Sequence, residues 1–235
     1  MADKVSLAQM LHNLLEVDDE TWGLYAFSRE ILKNRIQPVR VKDMIIKADA
    51  CGKEYAQLIK IELGSSDIGT IIEKLKLKVE YQNASMAGSR VLFARFTPPN
   101  KIEIMEHPIQ QAVSLISQEF PFLVEDFRQN DIIDIILGHE IYHFVEEQYA
   151  HKIYTRTEKI LLWNILGFKN YSMIRTLGEI GAMAFTKELN GLKHSPFILD
   201  VLLCYGYDPA GAEKIYQDVL LNRVRKVQET IEDCK

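Results

Sequence analysis

A predominantly helical α+β fold is the class that the 235 residues predict, on three observations. Apolar residues recur at helical spacing on both sides of a central segment, residues 77–105, where they alternate like strands instead. Glycine and proline fall where helices should stop, at Gly64, Pro121 and Gly191. A core of ordinary size is available, since hydrophobic residues make up 47% and charged residues 26% of the chain.

Taken in order, Ser6 can cap a first helix whose apolar face is Leu7, Met10, Leu11, Leu14 and Leu15. A second helical segment, Glu20 to Lys33, carries Trp22, Leu24, Tyr25, Phe27, Ile31 and Leu32 before Pro38 interrupts. Residues 1–40 therefore read as a helical hairpin packed on a main domain of residues 41–235. Val41 to Glu62 reads as a long helix with Gly64 at its end, and Ser65-Ser66-Asp67 caps a short one, Ile68 to Leu75. Leu77–Tyr81, Arg90–Phe96 and Lys101–Met105 alternate, and the expectation is a three-stranded antiparallel meander with its middle strand most buried. Pro108 opens a helix that runs to about Glu119 and closes at Pro121. Beyond a helix at 130–149, Ile153 to Asn164 is expected to be helical and Gly167 to Asn170 a loop. Met173 to Asn190 reads as a second long helix, followed by 197–205 and 209–232 after Ser195-Pro196 and Asp208-Pro209.

Bulk properties narrow the function classes. A net charge of −5 offers no basic surface for nucleic acid and no polybasic membrane patch. No apolar run approaches the roughly 18 residues of a membrane helix, so neither nucleic acid nor membrane is an expected partner. The start, Met-Ala-Asp-Lys-Val-Ser, has no apolar signal-peptide core. Cys51, Cys204 and Cys234 are far apart and read as free thiols, and a cytoplasmic location is the expectation.

The helix at 130–149 holds the sequence's most specific motif, His139-Glu140-Ile141-Tyr142-His143. Asn130 or Asp131 can cap its start, and Ile132, Ile135 and Ile136 form its apolar stripe. At ~100° per residue, His139 and His143 lie roughly 40° apart and close to that stripe. Two imidazoles one turn apart and facing inward have the spacing of two zinc ligands, with Glu140 beside them as a general base for water. Three fixed letters also occur by chance, and then the histidines are hydrogen-bonded core or surface residues. Glu140-x-x-His143 further fits the ligand spacing of di-iron carboxylate bundles, but such a bundle needs a second ExxH and this chain has none.

A catalytic zinc takes about three protein ligands and leaves one position open. Glu179 is the third candidate, set among Gly178, Gly181, Ala182 and Ala184, where another helix can approach closely. Glu146, Glu147, Glu158 and Glu188 compete with it; Glu146 and Glu147 read as surface or as supports behind the ligands. His151 and His194 read as surface or hydrogen-bonded residues, able to assist by stabilising an oxyanion.

The order of helix, small sheet, HExxH helix and carboxylate helix, together with Phe185-Thr-Lys-Glu-Leu189 and Ser195-Pro196, resembles the ImmA/IrrE-type metallopeptidases over roughly residues 50–200. That resemblance implies a zincin-like fold with the sheet packed against the HExxH helix, a Zn2+ cofactor, His139, His143 and Glu179 as ligands, and Glu140 as general base. The chain departs from the family pattern in two places. Tyr142 stands where a glycine usually precedes the second histidine, and Glu179 lies six residues before Phe185, with Gly181 at the usual ligand position. The resemblance implies a zinc-dependent peptidase acting on an intracellular protein, of the regulator or repressor kind, bound as an extended strand along the sheet edge. The alternative is a binding protein that keeps the fold, and even the metal, without cleaving.

Overall fold

The computed structural model describes residues 5–83, 93–119 and 128–233. Its helices are α1 (Leu7–Leu15), α2 (Asp19–Ser28), α3 (Pro38–Leu63), α4 (Ile68–Leu75), α5 (Glu106–Glu119), α6 (Gln129–Gln148), α7 (Tyr154–Thr157), α8 (Arg175–Asn190), α9 (Ile198–Tyr205) and α10 (Pro209–Asp233). Strands β1 (Lys78–Gln82), β2 (Ala94–Thr97) and β3 (Lys101–Met105) form one sheet, and β4 (Lys159–Ile165) with β5 (Phe168–Met173) a second. The α+β class holds, with helix dominant.

Several helix ends follow from local chemistry. Ser6, Asp18 and Asp67 each accept a hydrogen bond from the amide three residues on, which satisfies donors that the first turn leaves open. Gly64 and Gly191 end α3 and α8 in the left-handed region at φ 64°, where a side chain would be strained. Helix α6 starts earlier than Asn130: its cap is Arg128, and Asp131 sits in the first turn. Pro108 stands in the first turn of α5, which opens at Glu106.

Helix α2 stops at Ser28, short of Lys33, for a reason lodged across the molecule. Glu30 turns inward, and its Oε2 accepts from the amide (3.2 Å) and hydroxyl (2.9 Å) of Thr176, capping α8. A short 3-10 turn, Lys33–Arg35, follows. The two N-terminal helices then lie against the body: α1 on α9 and α10, α2 on α3, α8 and α10. Trp22, fully buried, stacks on Phe197 at 5.7 Å and anchors that packing.

Two expectations are corrected. The three-stranded sheet is mixed rather than an antiparallel meander: its order is β1-β3-β2, with β1 parallel and β2 antiparallel to β3. The most buried strand is therefore β3, with Ile102 and Ile104 at 0% exposure, and β2 is an edge strand. Arg90 to Leu92, the start expected for the middle strand, and Phe120 to Phe127 lie outside the described residues. The second correction concerns Ile153 to Asn164, of which only Tyr154–Thr157 is helical. The rest enters the β4–β5 hairpin, and the expected loop at Gly167–Asn170 is mostly strand. Leu166 (φ 51°) and Gly167 (φ 86°) make the two-residue turn, both left-handed as such hairpins require. For leucine that conformation costs on the order of 1 kcal/mol.

Helix α8 is central, touching α2, α3, α6 and α7. It packs most extensively on α3, where Gly52 lets the backbones meet. A Cβ on Gly52 would collide with the Gly181 carbonyl and lie 2.8 Å from the Phe185 amide nitrogen. Helix α6 also packs on α8, and β2 lies against α6. A cleft between α6, α8, α9 and the β2 edge is the result.

Candidate metal centre

His139, His143 and Glu179 meet in that cleft, their ligand atoms within 4.8 Å of one another. The two histidines come from adjacent turns of α6 and the carboxylate from the first turns of α8. His139 Nε2 lies 3.0 Å from His143 Nε2 and 3.3 Å from Glu179 Oε2, and His143 Nε2 lies 3.8 Å from Glu179 Oε1. Zinc–ligand bonds of ~2.0–2.1 Å in a tetrahedron put neighbouring donor atoms about 3.3–3.4 Å apart. The two imidazole nitrogens and the nearer carboxylate oxygens lie at separations on either side of that edge, so these residues fit a single ion after a small adjustment of the carboxylate. Two imidazoles and one carboxylate are also a donor set that suits zinc.

The two imidazoles are held unequally. His143 Nδ1 lies 3.1 Å from Glu146 Oε2, and Glu146 is buried at 4% exposure. The carboxylate accepts that Nδ1 proton, which leaves the Nε2 lone pair facing the cleft, as a metal ligand needs. Behind Glu146 a chain continues: Thr155 Oγ1 donates to Glu146 Oε1, Tyr142 OH lies 3.0 Å from Thr155 Oγ1, and Cys51 Sγ lies 3.9 Å from Tyr142 OH. Tyr142 therefore points away from the cleft, fully buried. His139 has no such support. Its Nδ1 is buried without a hydrogen-bond partner.

Charge organises the centre in the absence of an ion. Burial disfavours a charged His139, but the hydrogen bond and charge of Glu179 outweigh it and raise the imidazole to about 9. Burial likewise opposes a charged Glu179, and the bond to His139 with the charges of both histidines lowers it to about 2. A divalent cation held by these three residues would take over the role of that His139 proton.

Glu140 stands beside the triad at 8% exposure. Its Oε2 accepts a 2.6 Å hydrogen bond from the Phe96 amide on β2. The register explains the availability of that amide. Met105 donates to the Phe93 carbonyl, so by antiparallel alternation Arg95 and Thr97 bond to β3 while Ala94 and Phe96 face the cleft. Next to the triad lies a pocket of ≈ 210 Å³, lined by Ile135, Ile136, Met183, Leu199, Leu203 and the carboxylate of Asp200. Burial raises Asp200 to about 6, Arg29 at 3.9 Å pulling the other way.

Of the competing carboxylates, Glu146 supports His143 rather than standing at the surface. Glu147 is exposed and pairs with Arg156 at 3.0 Å. Glu188 pairs with Lys60 and Glu158 with Arg40, away from the triad. His151 and His194 do not join it. Sequence reasoning missed Asp200, Thr155 and the Phe96 amide. Only Glu146 carried a signal, its spacing of three residues from His143 on one helix. No protein-family model, curated protein or solved structure matches this chain.

Proposed function

We propose that this protein is a zinc-dependent metallopeptidase of the zincin kind, resembling the ImmA/IrrE-type enzymes, with His139, His143 and Glu179 as ligands. The observation that carries the reading is the convergence of two imidazole nitrogens and a carboxylate from a separate helix at ligand spacing, with a buried glutamate beside them. Zinc, when bound, supplies Lewis acidity, acidifying water and polarising a scissile carbonyl. The chain supplies the proton handling. Glu140 Oε2 is engaged by Phe96, so Oε1 is the atom that takes a proton from water and returns it to the leaving amine. Glu146 keeps His143 in the tautomer that binds through Nε2. On the cleft-facing edge of β2 the Phe96 amide is taken by Glu140, and the rest of that edge is where an extended peptide can add as a strand. The apolar pocket beside it accepts one side chain, of aliphatic or small aromatic size.

The catalytically silent alternative has less support. A cleft stopped by Tyr142 would have favoured it, and Tyr142 is turned into the core. Purified protein should contain about one zinc per chain. Glu140→Gln should keep the metal and abolish cleavage of peptide libraries or lysate proteins. Protein that binds no divalent ion, or whose peptidase activity survives Glu140→Gln, sinks the reading.

A further inference from the structure

The β4–β5 hairpin projects from the body with every residue from Trp163 to Tyr171 exposed. At its end Ile165 pairs with Phe168, and the two flank the Leu166-Gly167 turn. These three side chains are 60%, 75% and, for Leu166, 95% exposed. A left-handed turn position favours asparagine or glycine, yet the most exposed point of the hairpin carries leucine. Trp163 and Tyr171 follow roughly 7–10 Å behind the Ile165–Phe168 pair, at ~3.4 Å per residue. The hairpin, residues 159–173, contains Lys159 and Lys169 and no acidic residue, in a chain of net charge −5. Arg35 is fixed at its root by a 3.0 Å bond to the Leu162 carbonyl, with Lys33 beside it in the same turn.

The tip is apolar, Lys169 stands beside it, Trp163 and Tyr171 follow, and Arg35 and Lys33 lie farther back. Apolar groups for acyl chains, aromatic rings for the interface and cations for phosphates are what a bilayer surface takes. A convex finger with two exposed faces buries little against a flat protein. Two such fingers laid together would also oppose lysine to lysine with no acid in either to meet them. We infer that the β4–β5 hairpin docks the protein on a lipid bilayer bearing anionic headgroups, inserting Ile165, Leu166 and Phe168 and setting Lys169, with Arg35 behind it, against the phosphates. This departs from the sequence expectation of no membrane partner. No helix among the described residues is long and apolar enough to cross a membrane, and the hairpin needs none, because it rests in one leaflet.

The experiment uses the full chain with vesicles of phosphatidylcholine alone and of phosphatidylcholine mixed with phosphatidylglycerol. The protein should sediment with the mixed vesicles, less so as salt rises, and its tryptophan emission should shift to the blue. Trp22 is already buried, so the shift reports Trp163. The double variant Leu166→Asn/Phe168→Asn should bind about tenfold more weakly or worse, with an unchanged melting temperature, since asparagine suits the turn. Failure to bind either vesicle overturns the inference, as does equal binding by the double variant. Equal binding to phosphatidylcholine alone removes the anionic-lipid assignment. A concentration-dependent dimer that the double variant loses, without vesicle binding, makes the hairpin a self-association surface instead.

Discussion

His143 and Glu146 are joined by a 3.1 Å contact between Nδ1 and Oε2, one turn apart on α6, with the carboxylate buried. The pair fixes which nitrogen of His143 is free to bind. Glu146→Ala should weaken zinc binding by about 10–100-fold, measured by competition with a chromogenic chelator. Thr155→Val should weaken it less, because Thr155 acts only by holding Glu146.

Glu179 is half-exposed and supports no part of the core. Glu179→Gln should therefore fold, by circular dichroism, while elemental analysis finds zinc far below about one per chain. Full zinc retention in this variant would pass the third-ligand role to another group.

Chelator-treated protein should show a pH signature of the His139–Glu179 pair. His139 is raised from 6.5 to about 9, so its contribution is complete below 6.5 and lost as pH climbs through 9. Glu179 is lowered from 4.5 to about 2, so its contribution is present above 4.5 and lost as pH falls through 2. Thermal melts of wild type and Glu179→Gln should differ most between pH 4.5 and 6.5 and converge by pH 9 to 10.

Gly52 faces backbone rather than side chain across the α3–α8 contact. Gly52→Ala should destabilise the protein by about 3 kcal/mol or more, because neither helix has a flexible group that can yield. A Gly64→Ala control, with open space around its Cβ, should lose only the smaller strain of a left-handed alanine. Urea titration of both variants checks the difference.

Helices α6 and α8 were legible because their signals are local. HExxH needs one helix, apolar spacing supplies it, and the small residues around Glu179 mark a close approach whatever lies opposite. Sheet order was not legible, because alternation in β1, β2 and β3 says which face is buried and nothing about which strand lies between the others. The hairpin was misread for two reasons. Lys159–Ile165 is an apolar run with no clean period and a register irregularity between Leu161 and Trp163, and its turn begins with leucine, which carries no turn signal. Asp200 was invisible as well: twenty-one residues separate it from Glu179, and only the packing of α9 beside the cleft brings it near.

The bare meeting of α3 and α8 has one more implication. Where two helices touch main chain to main chain, nothing between them can be compressed or rearranged, so α8, which carries Glu179, has a rigid backstop along α3. Drift elsewhere in the core would alter how firmly the molecule holds together while leaving its grip on an ion almost untouched. Gly52 is the position where both properties would fail together.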